Sequence, residues 1–581
     1  MSAVETDVLV VGSGPAGAAA TAALSTYGVP NTLVTRYDRL TTTPRAHITN
    51  QRTLEVLRDL GLEQQAAALA TPQHLMGTTT FCTSMAGEEL GRLRSWGNDP
   101  LVQAAHALAS PTRMCDLPQT LMEPLLVDAA VARGTRLRFG TRFVSLAQDE
   151  DGVTATVADE ARGDTYDIRA RYLVGADGGR STVAEQVGLP FEGEMGVAGS
   201  INIVFRADLS RYAAHRPSTL YWVLQTGSEV GGIGMGLVRC VKPWDEWLIV
   251  WGYDVDAGPP DLTTAYAESV VRLLLGDDEI PVEIMSSSAW TVNHLHATTL
   301  SAGRVFCVGD AVHRHPPSNG LGSNTSIQDS WNLAWKLAHV LDGTAAPSLL
   351  DSYTAERAPV AAQVVARANL SIVETGPVFA ALGLLSTADD AQLQANMAAR
   401  KDSTPAAAAQ REALREALAH KVYEFDAHGV EMNQRYASAA VVDDGSGPEE
   451  WAVDPELVHV PTTRPGAKLP HAWLTRAGHE VSTLDLVGRG RFTVLTGLGG
   501  QTWAEAATTV GSRRGLEVRA HVVGPGCEHE DPYGDWARLR EVADDGCVLV
   551  RPDGYTCFRA DSLAGDPTAA LDAALRQVLG R

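Results

Sequence analysis

Two groups of residues in this chain have types and spacing suited to chemistry. The apolar run Val8–Val11 leads into Gly12-Ser-Gly14-Pro15-Ala16-Gly17 and then into a string of alanines. A buried strand entering Gly-x-Gly-x-x-Gly and a small-residue helix is suited to a pyrophosphate. Gly12 permits the tight turn, Gly14 admits phosphate to the backbone N–H groups, and Gly17 lets helix and strand pack closely. The helix N-terminus, beginning at Pro15 and Ala16, would add free N–H groups and the positive end of its dipole. Far downstream comes Gly303-Arg-Val-Phe-Cys-Val-Gly309-Asp310-Ala311. Burying a carboxylate is costly unless it is hydrogen-bonded, and an aspartate at such a strand end is suited to polyol hydroxyls. In flavin-binding folds those are ribityl hydroxyls, so the two groups together predict FAD, with Asp310 expected to be buried.

Pro317-Ser-Asn319-Gly320-Leu-Gly322-Ser323-Asn324 follows, just before a long helix expected over Ser326–Leu341. Two glycines and an asparagine ahead of a helix present several N–H groups to one spot, which favours negative charge.

The elements that must position these residues are legible in outline. Residues 1–60 read as strand, helix, strand and helix, the opening of a doubly wound sheet. A helix is expected over Leu117–Arg133, then alternating strands leading to Tyr172–Gly178. Residues 186–290 are rich in β-branched and aromatic residues, among them Tyr221, Trp222, Trp251, Tyr253 and Trp290, and read as an antiparallel sheet. The first pattern resumes over 291–385. An Ala-rich helical stretch over about 387–420 and a Pro/Gly/Asp-rich linker near 442–466 fill 386–464, and an α/β pattern restarts over 465–581. The predicted fold class is α/β: a Rossmann-like FAD-binding part (1–185 and 291–385), an interleaved mixed-sheet substrate part, and a C-terminal domain.

Composition excludes several classes. A net charge of −23 argues against a nucleic-acid partner. No apolar run approaches the roughly 20 residues that span a bilayer, and the first strand starts at once, so a cytoplasmic protein is expected. Seven scattered cysteines without C-x-x-C indicate neither a disulfide framework nor a zinc site, and no metal is expected.

Pro44-Arg45-Ala-His47-Ile-Thr-Asn-Gln-Arg52-Thr53, Leu220–Val223, Trp251–Val255 and Gly309-Asp-Ala-Val-His-Arg-His-Pro316 resemble the class A flavoprotein aromatic hydroxylases, within them the phenol hydroxylase branch, over essentially the whole chain. The resemblance implies that Arg45 contacts FAD phosphates, a task suited to a guanidinium, and that Gln119 touches the flavin edge. It implies that the Pro317–Asn324 segment faces the electron-rich end of the reduced ring. Asp177, in Asp-Gly178, matches a motif tied to both FAD and NAD(P)H. Thr35, followed by Arg36, stands where most relatives hold the adenosine ribose with a glutamate. His47 matches the position of a substrate-deprotonating aspartate. The C-terminal segment resembles a thioredoxin-like domain without C-x-x-C.

The activity so implied is ortho hydroxylation of a phenol to a catechol through a flavin C4a-hydroperoxide, consuming O2 and NADH or NADPH. A simple, chlorinated or otherwise substituted phenol is the first expectation for the small-molecule substrate. An aromatic polyketide is the alternative, and a non-catalytic flavin-binding redox sensor is the alternative of another class. A homo-oligomer, dimer or tetramer, is expected.

Overall fold

The computed structural model describes residues 4–226, 235–385, 389–563 and 565–581. Residues 227–234 of the middle segment and 387–388 of the Ala-rich stretch lie outside them.

The first strand, Val4–Val11, pairs in parallel with Asn31–Val34 on one side and Asp164–Gly175 on the other. The sheet runs Ser301–Ala302, Val305–Cys307, Asp164–Gly175, Val4–Val11, Asn31–Val34 and Arg136–Arg138. Thr141–Gln148 and Val153–Asp159 extend Asp164–Gly175 as an antiparallel meander. Val8–Val11 and Leu173–Val174 are buried on both faces, which is why these strands read as continuous apolar runs rather than alternating ones. Helix Pro15–Thr26 carries alanine at six of its ten buried positions, with glycine, serine and threonine at three others. Small side chains let it lie close to both Gln119–Ala132 and Gly322–Leu341, and Ser330 Oγ donates to the Ala16 carbonyl at 2.7 Å.

A second sheet of eight strands runs His313–Arg314, Glu283–Ala297, Phe191–Arg206, Glu246–Tyr253, Met235–Lys242, Ser218–Leu224, Thr78–Cys82 and Glu89–Arg94. Phe191–Arg206 alternates: Ile201, Ile203 and Phe205 face the same core as Trp247, Ile249 and Trp251, against the buried face of Thr264–Leu275. The antiparallel sheet expected over 186–290 is therefore present but larger. Its last long strand ends at Ala297, and two outer strands come from residues 78–94, joined by one parallel pairing, Ser218–Leu224 with Thr78–Cys82.

The long helix begins at Gly322, four residues ahead of the expected Ser326. Glycine and asparagine disfavour helix interiors, but the Asn324 side chain is held from outside: Asn50 N–H donates to it, and it donates to the Ile48 and Gly320 carbonyls. The Ala-rich stretch forms Asp390–Ala399 and Pro405–His420, capped by Asp389 and Thr404.

The C-terminal sheet has the order Val518–Val522, Phe492–Thr496, Cys547–Val550, Thr556–Ala560, the first pair parallel and the others antiparallel. Helices Gln501–Arg514 and Pro567–Val578 bury one face each against it. Buried ion pairs tie this unit to the rest. Arg551 bonds to both Glu356 oxygens, and Lys336 Nζ bonds to Glu356 at 2.8 Å. Lys468 reaches Glu55 at 3.0 Å.

Candidate active site

The Gly12–Gly17 turn closes on itself. A Cβ on Gly17 would lie 1.9 Å from the Gly12 carbonyl oxygen, and one on Gly12, whose φ is +104°, would lie 2.2 Å from the Ala176 oxygen. Gly14 is different. A Cβ there meets only Glu123 Oε1, at 4.0 Å, so the space that a side chain would fill is open at the start of helix Pro15–Thr26. Two glycines serve the packing of the turn, and the third keeps a concavity at a positive helix end. That arrangement fits a phosphate.

The flanking residues divide into engaged and open. Thr35, at the end of the second strand, is buried, and its hydroxyl accepts from Ser13 Oγ at 3.1 Å. Arg36 is exposed and lies over the Tyr37 ring at 4.9 Å. Gln119 opens its helix and donates to Glu123 Oε1 at 2.5 Å, while the other Glu123 oxygen accepts Thr41 N–H at 3.0 Å. Burial pushes the Glu123 carboxyl up; Gln119, Thr41 and the nearby Arg45 charge oppose it. Arg45 itself is exposed, with no side-chain partner among the described residues. Asp177 spends both oxygens at a helix start, accepting from Ser181 Oγ at 2.5 Å and Val183 N–H at 3.1 Å.

Asp310 departs from expectation. It is exposed, not buried: the turn Gly309–Ala311 takes the chain off the end of the buried strand Val305–Cys307. Its carboxylate has no hydrogen bond among the described residues. Crowding by protein pushes its carboxyl up, against the pull of His313, Arg314 and Arg45. A Cβ on Gly309 would lie 2.8 Å from Ala16 Cβ, and Gln119 N–H donates to the Arg45 carbonyl at 3.2 Å, so the glycine turn is packed against the turn that bears Asp310, and Arg45 is tied to the helix that carries Glu123. A free carboxylate, a free guanidinium and an open helix end fit the hydroxyls and phosphates of FAD.

Beyond Asp310, Pro317 is exposed and Gly320 has a φ of +62°. A Cβ on Gly320 would press 2.8 Å from Ile48 Cβ, so this turn packs directly on the residue after His47. The first helical bond runs from Thr325 N–H to the Leu321 carbonyl, leaving the N–H groups of Gly322, Ser323 and Asn324 ahead of the ladder. His313 is fully buried, 2.8 Å from Asp329, which also takes Arg357 at 2.7 Å. His315 contacts the Pro316 carbonyl, and burial pushes it down to about 4. Both are held in the frame.

His47 carries the ion pair that distinguishes this arrangement. It precedes the two-residue strand Ile48–Thr49, which pairs antiparallel with Cys115–Asp116, and Leu117 N–H donates to the His47 carbonyl at 2.8 Å. That short ladder sets His47 Nδ1 2.9 Å from Asp116 Oδ2. Behind it, Arg239 Nη2 lies 3.5 Å from Asp116 Oδ1, and Nη1 donates to the Pro44 carbonyl. Burial alone would raise the Asp116 carboxyl; the His47 and Arg239 charges outweigh it and hold Asp116 below the ordinary range. Burial, helped by Arg239, pushes the His47 imidazole down against the pull of Asp116. The ring is therefore neutral at pH 7, with its Nδ1 proton donated to Asp116 and the Nε2 lone pair free of any partner among the described residues.

Asp116 and Arg239 were missed in the sequence. Asp116 belongs to no motif. Arg239 had a signal: it is a charge in the middle of the otherwise apolar stretch Met235–Val241, 3% exposed. Trp222 joins Ile48, Met76, Phe81 and Met114 in an apolar cluster adjoining the His47 segment, whereas Tyr221 and Trp251 belong to the core under the other face.

Residues 5–368 match the family model described as FAD binding domain, and residues 462–581 match the one described as aromatic-ring hydroxylase, C-terminal. The chain belongs to the FAD-dependent aromatic-ring hydroxylases. A 2,4-dichlorophenol 6-monooxygenase of Delftia acidovorans is 57% identical over 99% of this chain and 98% of its own length. A phenol 2-monooxygenase of Pseudomonas sp. (strain EST1001) is 49% identical over 98% of this chain and 92% of its own. The crystal structure of the flavin-dependent monooxygenase PieE, in complex with FAD and substrate, matches with a TM-score of 0.95 at 44% identity, covering 99% of both chains. This hydroxylase is thus a flavoenzyme with FAD as cofactor and NAD(P)H and O2 as co-substrates. Among the described residues no helix is long and apolar enough to cross a membrane.

Proposed function

We propose that the enzyme hydroxylates a simple phenol, chlorinated or alkylated, ortho to its hydroxyl, with His47 as the general base. The observation that carries this is the contact of half-buried His47 with buried Asp116, 2.9 Å apart with Nε2 unengaged among the described residues. Bound FAD, reduced by NAD(P)H, supplies the activated oxygen, one atom entering the ring and the other leaving as water. The protein's part is to hold the phenol and take its proton. The substrate hydroxyl donates to His47 Nε2; as the proton moves, the positive charge gained by the ring is met by the Asp116 carboxylate at Nδ1. Arg239 keeps Asp116 ionised and tempers the basicity of His47. A phenolate is electron-rich at its ortho carbon, so this proton removal favours attack there; positioned general bases contribute typically 10²–10⁴-fold.

On the same reading Gly12, Gly14, Pro15, Ala16 and Gly17 cradle the FAD pyrophosphate with Arg45. Asp310 takes ribityl hydroxyls, and the helix end at Gly322–Asn324 faces the ring. Thr35, Arg36, Gln119 and Asp177 line or brace the cleft, with Asp177 acting through the helix it caps. The C-terminal unit is read as thioredoxin-like, supported by its four-strand order with one parallel pair and by its two flanking helices. Lacking C-x-x-C, it serves as a scaffold.

The test is NAD(P)H oxidation and catechol formation with a panel of monocyclic and polycyclic phenols. Coupled turnover of a monocyclic phenol is expected in the wild type. His47→Ala should retain FAD and lose hydroxylation, less severely at high pH, where the substrate is already ionised. Turnover restricted to polycyclic phenols would remove the substrate assignment, and unchanged turnover in His47→Ala would remove the base.

A further inference from the structure

We propose that His521, Glu528 and His529 form a divalent-metal site matched to Zn2+ in the C-terminal unit. One imidazole nitrogen, one carboxylate oxygen and a second imidazole nitrogen lie within 4.8 Å of one another. His521 stands on the sheet-edge strand Val518–Val522, and the chain that follows folds back beside it. Gly524 N–H donates to the His529 carbonyl at 3.0 Å, Cys527 N–H to the Gly524 carbonyl at 3.1 Å, and Gly526 N–H to the Glu530 carboxylate at 2.9 Å. This closure brings the two rings to a centroid separation of 4.9 Å, nearly perpendicular at 84°.

The site has an unmet need. His529 is 1% exposed, yet among the described residues neither of its ring nitrogens has a hydrogen-bond partner, and neither does Nε2 of His521. Buried polar atoms are nearly always partnered, because a bare one forfeits its hydration without replacement. A metal ion would satisfy two bare nitrogens at once. Burial pushes both imidazoles down, His521 to about 4. Their lone pairs are therefore available at neutral pH without displacing a proton.

Two imidazoles and a carboxylate are an oxygen–nitrogen set that suits zinc, with a fourth position left to water. Zinc–ligand bonds of about 2.0–2.2 Å require the donors to draw in by roughly 1 Å. Glu528 is exposed and free to make that adjustment. Its Oε1 is paired with Arg476 at 2.6 Å, which leaves Oε2 for the ion. None of these residues belongs to the flavin cleft; the ion would clip the edge strand to its following loop. The spacing His521-x6-Glu528-His529 contains no cysteine pair, so the usual sequence signal of a zinc site is missing from it.

The test uses tag-free, FAD-loaded enzyme, stripped with a chelator and titrated with Zn2+ by calorimetry, with metal content read by atomic emission after dialysis. One zinc per chain is expected, with a rise in melting temperature. Glu528→Ala, an exposed change that spares the fold, should weaken binding at least tenfold, and His521→Ala with His529→Ala should abolish it. Binding below stoichiometry, or affinity unchanged in Glu528→Ala or in the double variant, would overturn the site.

Discussion

Asp116 Oδ2 lies 2.9 Å from His47 Nδ1, and this contact decides which nitrogen of the imidazole can act. With Nδ1–H committed to a buried carboxylate, the basic lone pair is on Nε2, and the ring is fixed in one orientation. The contact depends on a ladder of only two residue pairs, Ile48 with Asp116 and Thr49 with Cys115. The same segment is stitched by Asn324 to the start of the helix at Gly322. The base and the helix end proposed to face the flavin are therefore parts of one hydrogen-bonded frame.

Asp116→Asn should retain FAD and the fold but lower kcat by 10²–10³-fold, within the range of general-base contributions. The amide keeps the shape, but its NH2 can donate to Nδ1 and so favour the wrong tautomer. Rapid-quench measurement of catechol formation reads the effect directly; a loss below threefold would show that Asp116 does not orient the base.

The pH dependence follows from the direction of the His47 shift. A base works unprotonated, and burial with Arg239 holds His47 below the ordinary histidine value of 6.5. The acid limb of the kcat/KM profile should therefore fall below pH 6.5, with a plateau above it. Arg239→Met removes one of the two depressing influences and should move that limb upward. A profile that does not move, in a variant that still binds FAD, would separate Arg239 from the titration of His47.

The legible and illegible parts of this molecule differ in range along the chain. The glycine turn, the Gly309-Asp310 pair and the long helix are local patterns, and each was visible in a dozen residues. Asp310 reads as buried because strand character continues to Val308, and nothing local says that the chain turns at Gly309 and leaves the next residue exposed. Asp116 and Arg239 meet His47 across 69 and 192 residues of chain, and only the strand pairings bring them together. The two strands that residues 78–94 lend to the second sheet are hidden for the same reason.

The glycines of the first turn should separate by substitution. Gly17→Ala drives a Cβ to 1.9 Å from the Gly12 oxygen and should yield little folded protein. Gly14 sits at φ −62°, ψ 179°, which alanine adopts freely, and its Cβ would enter open space. Gly14→Ala should therefore melt as the wild-type apoprotein does but bind FAD at least tenfold more weakly. Melting curves and flavin fluorescence titrations read the two properties apart, and wild-type FAD affinity in Gly14→Ala would remove the phosphate from that position.

The C-terminal unit is expected to be a stability element, through Arg551. This fully buried guanidinium bonds to both oxygens of Glu356 and, at 2.6 Å, to Asp553, while Glu356 also takes Lys336. Burial would raise the Glu356 carboxyl, but Arg551 and Lys336 outweigh it and hold it far below the ordinary range. Glu356 therefore stays ionised wherever the fold persists, and its contribution is lost only as pH falls below the ordinary carboxylate value of 4.5. Arg551→Met leaves buried Glu356 and Asp553 short of a partner, which in comparable sites costs about 3–5 kcal/mol. Urea unfolding of the holoenzyme at pH 7 should show that loss. The double change Arg551→Met with Glu356→Gln should recover part of it, because one unpaired charge is removed. A single variant as stable as the wild type would mean that the C-terminal unit is held by its apolar contacts instead.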